Sequence, residues 1–148
     1  VDPVNDITLT GITIGSSSYM SPEQIGGDSI DFRTDIFSFG VLAYELLSSR
    51  KPFQNDNLFL LLEQIVKTEP TPLAELAPDL PPSLVALVER AMRKNPDDRF
   101  PSARDLRNAL VAVQQEIAPG EMSGEKLMLE AAGLSDREPA APRMEKLQ

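Results

Sequence analysis

The sequence predicts an all-α fold of about five helices, preceded by an irregular N-terminal segment. The first observation is the stretch from Asp35 to Ser48, whose apolar side chains leave no broad polar face at roughly 3.6 residues per turn. Such a helix must be enclosed by protein. The second is that apolar residues recur at helical spacing in three later stretches, and the third is that proline-containing segments separate those stretches.

Composition narrows the classes of function that this chain can have. Its 148 residues carry a net charge of -9, which argues against a nucleic-acid surface because such surfaces need clustered Lys and Arg. The absence of both Cys and His excludes disulfides, thiolate nucleophiles and the commonest general base and metal ligand. No membrane segment or targeting pattern is visible, so we expect a cytoplasmic protein.

The N-terminal part of the chain predicts one short helix followed by the central one. Residues 1–20 alternate apolar and polar residues only in part, which is typical of an edge hairpin or an extended loop. Ser21 is a suitable N-cap with Pro22 in the first helical position, and Gly26-Gly27 ends that helix. Thr34 or Asp35 is then expected to cap the central helix, which runs to about Ser48 and is too short for the roughly 20 residues that cross a bilayer.

Three further helices follow in the sequence. The third is predicted from Asn55 or Asp56 to about Thr68, with its apolar face widened by Phe59 and Leu60. Residues 69–82 contain five prolines, which predict an ordered loop without a helix. Ser83 is expected to cap the fourth helix and Pro96 to end it. Ser102 opens a fifth helix whose predicted core positions are Ala103, Leu106, Leu110, Val113 and Ile117.

Residues after the fifth helix change in composition. Pro, Gly, Glu and Ala dominate from Ala118 onward, and the content of large apolar residues is too low to order the end of the chain. We therefore predict a domain over residues 1–116 and a flexible tail or linker over 117–148.

Two short motifs resemble metal-binding sequences but lack the neighbouring residues that such sites need. Asp31-Phe32-Arg33 resembles a magnesium-binding Asp-Phe-Gly but follows Ser21-Pro22-Glu23, whereas the magnesium motif must precede it. Asp97-Asp98 is an adjacent acidic pair with no other ligands converging on it, as in a solvated cap between helices. We predict no metal site in this chain.

Four short segments occur in a fixed order along the chain, and together they are more specific for a protein family than any one segment alone. They are Gly15-Ser-Ser-Ser-Tyr-Met-Ser-Pro-Glu-Gln24, Asp35-Ile-Phe-Ser-Phe-Gly-Val-Leu-Ala-Tyr-Glu45, Lys51-Pro-Phe53 and Asn95-Pro-Asp-Asp-Arg-Phe100. Together they resemble the C-terminal lobe of a bacterial eukaryote-like (Hanks-type) serine/threonine protein kinase, over roughly residues 1–116. The resemblance implies a kinase helical bundle preceded by an activation segment.

The resemblance assigns residues 1–14 to the activation segment. Thr8 and Thr10 match a Thr-x-Thr pair that such bacterial kinases autophosphorylate, and Thr13 is a further candidate. A phosphate there adds nearly two negative charges and orders the loop when it docks on an Arg cluster. The alternative is that these threonines are only β-forming residues.

The resemblance also implies roles for three substrate-binding residues. Ser16 matches a hydroxyl residue that hydrogen-bonds the catalytic Asp, and Tyr19 is expected to line the pocket for the residue after the phosphoacceptor. Glu45 lies where some kinases bind a basic substrate residue, although a solvated carboxylate at the end of a helix is the simpler interpretation.

Four residues match structural positions of the family. Glu23 corresponds to the Glu of an Ala-Pro-Glu motif, which pairs with an Arg between the last two helices, here Arg99. Asp35 corresponds to the Asp that holds the catalytic loop, and Gly40 belongs to the same central-helix motif. We expect the Glu23 and Arg99 pair to be buried.

The parts of a kinase that perform phosphoryl transfer are not found in this sequence. Transfer needs a Gly-rich loop, a phosphate-binding Lys, and the His-Arg-Asp and Asp-Phe-Gly motifs. We therefore expect a chain truncated at its N-terminus and inactive alone, with ATP and Mg²⁺ bound only by the complete kinase.

Two kinds of partner follow from this interpretation. The chain is expected to pack against the missing N-lobe and catalytic loop, and to bind protein substrates or regulators through the 56–68 helix and the 15–20 loop. The alternative to a kinase part is a non-catalytic interaction module derived from a kinase C-lobe.

Overall fold

Helices account for all the regular structure in residues 14–119, which are the residues described by the structure, a computed structural model. Residues 14–113 belong to one compact unit and residues 114–119 to a second. The helices are α1 (Ile14–Ser17), α2 (Pro22–Gly26), α3 (Arg33–Ser48), α4 (Leu58–Lys67), α5 (Leu73–Leu76), α6 (Pro82–Ala91) and α7 (Ala103–Ile117), with a 3-10 turn at Pro96–Asp98. The predicted all-α class is confirmed.

The central helix α3 buries one face against α6. Ile36, Phe37, Val41 and Tyr44 on that face are almost completely buried. Gly40 lies at the closest approach, where an added Cβ would come within 2.7 Å of Met92 Cγ and within 3.2 Å of backbone of α6. The glycine is therefore what allows the two helices to pack at this distance.

The opposite face of α3 is not covered by the described residues. Leu42 is 47% exposed and Leu46 is 73% exposed, so the prediction of a helix enclosed on all sides was wrong for this part of the chain. Apolar residues on every face indicate that a helix prefers to be surrounded, but they do not say which segment surrounds it.

The start of α2 matches its prediction, whereas the start of α3 differs. Ser21 Oγ accepts a hydrogen bond from the Gln24 N–H, and Gln24 Oε1 accepts one from the Ser21 N–H, which completes a capping box. Helix α3 begins at Arg33, whose N–H donates to Asp31 Oδ1. Neither Thr34 nor Asp35 caps it, because both lie inside its first turn.

The proline-rich segment contains a helix that the sequence did not predict. Helix α5 is a single turn after Pro72, and Leu73 within it is completely buried. Prolines exclude a long helix but allow one turn to begin directly after them, and burial of Leu73 stabilises that turn. Similarly, Pro81 rather than Ser83 precedes the first residue of α6, and its carbonyl accepts from the Leu84 and Val85 N–H groups.

The third and fifth predicted helices, α4 and α7, differ from expectation mainly at their ends. Helix α4 begins after Asn57, whose side chain accepts from the Phe59 and Leu60 N–H groups. In α7 the predicted core positions Leu106 and Val113 are buried, whereas Ala103 and Ile117 are exposed. Within residues 14–119 no helix combines the length and the apolar character that a bilayer crossing needs.

Candidate functional site

A buried ion pair joins α2 to the turn that precedes α7. Arg99 Nη1 donates to Glu23 Oε1 at 2.7 Å, and Arg99 Nη2 donates to Glu23 Oε2 at 2.8 Å. Both side chains are almost fully buried. This two-bond geometry uses the planar guanidinium and carboxylate fully, and it connects residues that lie 76 positions apart in the sequence.

Backbone carbonyls satisfy the remaining donors of Arg99. Its guanidinium donates to the carbonyls of Arg93 at 2.7 Å, Arg33 at 2.8 Å and Lys94 at 3.0 Å. It also lies 4.9 Å from the centre of the Phe37 ring. One buried cation therefore fixes α2, the first turn of α3 and the end of α6 relative to one another.

The Glu23 carboxylate receives further hydrogen bonds. Thr34 Oγ1 donates to Glu23 Oε1 at 2.8 Å, which explains why this hydroxyl does not cap α3. Burial alone would raise the pKa of Glu23, but the hydrogen bonds from Arg99, from its own backbone and from Thr34 outweigh it and lower the pKa to about 2. The carboxylate is therefore ionised at any ordinary pH.

A second pair of predicted residues meets on the loop before α2. Tyr19 Oη donates to Glu45 Oε2 at 2.5 Å, and the Lys51 ammonium lies 5.6 Å from the centre of the Tyr19 ring. This bond to Glu45, together with burial and the negative charge of Glu45, raises the pKa of Tyr19. Glu45 is therefore partly buried and holds the tyrosine, and its part in substrate binding stays a prediction.

An open cavity of about 510 Å³ lies beside this pair. Its lining includes Ser18, Glu45, Ser49, Arg50, Lys51 and Gln54, which makes it mostly polar. Ser38 Oγ donates to the Tyr19 carbonyl at 2.8 Å and thereby ties the loop to α3. The loop, α3 and the segment after α3 together form a wall with exposed hydrogen-bonding groups.

The other predicted site residues lie in separate places. Ser16 is exposed within α1, where the sequence predicted a hairpin or an extended loop, and Asp35 is exposed on α3, where its carboxylate has no hydrogen-bond partner among the described residues. Gly40 lies inside the contact of α3 with α6. Thr8, Thr10 and Thr13 lie outside the described residues.

Sequence reasoning missed several residues that hold this site. Thr34 was interpreted as a cap, and the carbonyls of Arg33, Arg93 and Lys94 carry no side-chain signal that a sequence pattern could reveal. Asn95-Pro96 does mark a turn before Arg99, and that turn brings the Arg99 guanidinium back to the carbonyls of Arg93 and Lys94. Within residues 14–119, no three His, Cys, Asp or Glu side chains are placed to hold a metal ion.

Comparison of the sequence with protein families identifies one match. Residues 5–110 match the protein kinase domain. The chain is similar to the serine/threonine-protein kinase PknB of Mycolicibacterium smegmatis, with 35% identity over 95% of this chain and 23% of that protein. It is also similar to the serine/threonine-protein kinase PksC of Streptomyces coelicolor, with 38% identity over 70% of this chain and 19% of that protein.

A third relative carries a different name. The tyrosine-protein kinase MasK of Myxococcus xanthus is 40% identical over 76% of this chain and 18% of its own length. Among solved structures, the twitchin kinase region from C. elegans superimposes with a TM-score of 0.59 and 23% identity, over 76% of this chain and 19% of that one. The chain thus spans about a fifth of the length of these relatives.

Proposed function

This chain belongs to the protein kinase domain family, and we propose that it supplies the activation segment and the peptide-binding platform of a serine/threonine kinase. The observation that carries this proposal is the buried Glu23–Arg99 pair, which joins α2 to the turn before α7. Helix α2 directly follows the 16–21 loop, a name used here for the end of α1 and the residues that lead to Ser21, so the pair also limits where this loop lies. A loop held in this way presents a peptide to a reacting centre in a constant position, which is a large part of catalysis in phosphoryl transfer.

Each substrate-binding residue has a proposed part in this platform. Ser16 would hydrogen-bond the catalytic Asp of the complete kinase and select hydroxyl substrates. Tyr19, held by Glu45 at 2.5 Å, would line the pocket for the residue after the phosphoacceptor. Thr8, Thr10 and Thr13 would be phosphorylated in the activation segment and add the charge that orders it.

The catalytic parts would come from segments other than the described residues. The uncovered face of α3, with Leu42, Leu46 and the exposed Asp35, supports a partner that packs there. We propose that this partner carries the catalytic loop and that the ATP and Mg²⁺ sites lie with it. Alone, the 148-residue chain would then transfer no phosphate.

A chimeric enzyme tests the proposal directly. Residues 5–110 would replace the matching segment of the PknB relative, and phosphate transfer from ATP to a protein substrate would be measured. We expect a folded, active chimera that phosphorylates Ser or Thr, and loss of activity in its Arg99→Ala variant. A chimera that folds cooperatively but transfers no phosphate would contradict the proposal, as would phosphotransfer by the 148-residue chain alone.

A second candidate function is an interaction module, and one observation favours it. On α4, Phe59 is 76% exposed and Leu60 is 49% exposed, on the side of the helix away from the buried Leu61 and Ile65. Such a surface would bind a regulator or a protein substrate whether or not the parent is active. In the chimera, Phe59→Ser should raise the KM for a protein substrate and leave that for a short peptide unchanged if α4 docks substrates.

A further inference from the structure

The Lys94 side chain makes two contacts that neither the sequence pattern nor the proposed platform explains. It lies between α6 and the 3-10 turn, and its ammonium donates to the Ile65 carbonyl of α4 at 2.7 Å. The ammonium also lies 4.2 Å from the centre of the Phe53 ring, which is buried. Although a cation at this position could have faced the carbonyls that end α6, its side chain reaches a different helix.

The main chain of Lys94 contacts the other part of the site. Its carbonyl accepts from Arg99 Nη2 at 3.0 Å, and Arg99 Nη2 also donates to Glu23 Oε2 at 2.8 Å. A single residue therefore contacts α4 with its side chain and the buried pair with its backbone. These contacts form a continuous path from Ile65 to Glu23.

We propose that Lys94 is a positioning residue, which holds α4 in register with the Glu23–Arg99 pair so that α4 and the 16–21 loop move as one unit. The proposal rests on the proposed function of that loop as the peptide platform. Its consequence is that a ligand bound to the exposed face of α4 changes the position of the loop.

A change of pH provides a way to weaken the Lys94 side-chain contacts, because Lys94 loses its proton at an unusually low pH. Burial lowers the pKa of Lys94 to about 8; Glu69 opposes that change and Arg99 adds to it. Above that pH the neutral amine loses its attraction to the Phe53 ring and becomes a weaker donor to Ile65. The protein contains no His and no Cys, whose ordinary pKa values lie nearest to this range.

Methionine-methyl NMR of the 148-residue chain provides the test. Met20 lies in the loop and reports its position, while buried Met92 reports whether the chain is folded. Neither side chain titrates. We expect the Met20 methyl shift to change in a single step near pH 8 in the wild-type chain. The step should be absent in Lys94→Arg, because a guanidinium keeps its proton throughout this range.

Controls separate Lys94 from other groups that titrate. Lys67→Arg is the matched variant, since Lys67 is an exposed lysine on α4 that pairs with Glu63, and it should retain the step. The terminal amine is present in every variant and cancels in the comparison. A step that persists in Lys94→Arg, or a wild-type Met20 shift that does not change, would overturn the proposal. If Lys94→Arg does not fold, Lys94→Gln replaces it with the same expected result.

A second measurement tests the coupling without changing pH. The chain has no native Cys, so Phe59→Cys can be labelled with a bulky maleimide on the exposed face of α4. The label should change the chemical shift of the Met20 methyl in the wild-type background. The change should be at least several-fold smaller in the Lys94→Gln background. An equal shift in both backgrounds would overturn the proposal. Neither measurement needs ATP or a substrate, so failure here is distinct from failure of the chimeric kinase.

Discussion

Arg99 and Arg33 both bind carboxylates next to α3, but one is buried and the other is partly open to solvent. Arg99 contacts one carboxylate and three carbonyls with essentially no exposed side-chain surface. Arg33 contacts two carboxylates, Asp31 at 2.8 Å and Asp97 at 2.6 Å, and those acids are 40% and 79% exposed. The distances between guanidinium nitrogens and carboxylate oxygens are therefore similarly short in both clusters. The clusters differ in how deeply they are buried.

The comparison teaches that a short contact distance is a poor guide to how much an ion pair contributes to stability. Water and salt screen the Arg33 cluster, where loss of one partner leaves an ion that solvent can hydrate. Loss of one partner in the Arg99 cluster leaves an unpaired charge and several unsatisfied polar groups in the interior. Four predictions test this difference, beginning with the largest expected effect.

Removal of Arg99 should produce the largest loss of stability. Arg99→Ala is expected to lower the free energy of unfolding by about 3–5 kcal/mol, because Glu23 remains buried and unpaired. Urea denaturation followed by circular dichroism measures it, with Arg33→Ala as the matched control. Equal losses in the two variants would show that burial is not the deciding factor. Glu23→Gln is the milder variant if Arg99→Ala does not fold.

Acid should weaken the buried cluster selectively. The pKa of Glu23 is lowered from 4.5 to about 2, so the ionised carboxylate is favoured in the folded state. Its contribution is fully present above pH 4.5 and is lost as the pH falls toward 2, by about 3 kcal/mol in total. The stability difference between wild type and Glu23→Gln should shrink over this range. A difference that stays constant with pH would contradict the prediction.

A substitution that changes no charged group shows how much the packing of the interior contributes to stability apart from the ion pair. Gly40→Ala places a Cβ within 2.7 Å of Met92 Cγ and within 3.2 Å of the α6 backbone. We expect a loss of about 1–3 kcal/mol from overpacking, independent of pH. Thermal unfolding at two pH values measures it, and Ala43→Gly on the same helix shows the effect of helix propensity together with the loss of one partly buried methyl group. A loss that varies with pH would mean that the change disturbs the ion pair instead.

The exposed cluster should give the smallest effect. A double-mutant cycle of Arg33→Ala and Asp97→Asn is expected to give a coupling energy several-fold smaller than that of Glu23 with Arg99. Repeating the cycle at high salt should reduce it further, because the pair is accessible to counterions. A coupling as large as that of Glu23 with Arg99 would reverse the comparison.

Much of the fold was predictable because helical periodicity is a local property. The apolar spacing in α3, α4 and α6 reports which residues share a face, and Ser21-Pro22 marks a helix start through hydrogen bonds with its own neighbours. The Tyr19–Glu45 bond was not predicted, since the two residues were considered as separate contributors to substrate binding. It depends on where the loop lies relative to α3.

The sequence by itself determined the all-α class, the order of the main helices and the resemblance that places Glu23 with Arg99. Tertiary structure decided the α5 turn, the role of the Thr34 hydroxyl, the exposed face of α3 and the reach of Lys94 to α4. The physical reason is that patterns record the preferences of neighbouring residues, whereas a buried donor takes whichever acceptor the packed helices bring to it.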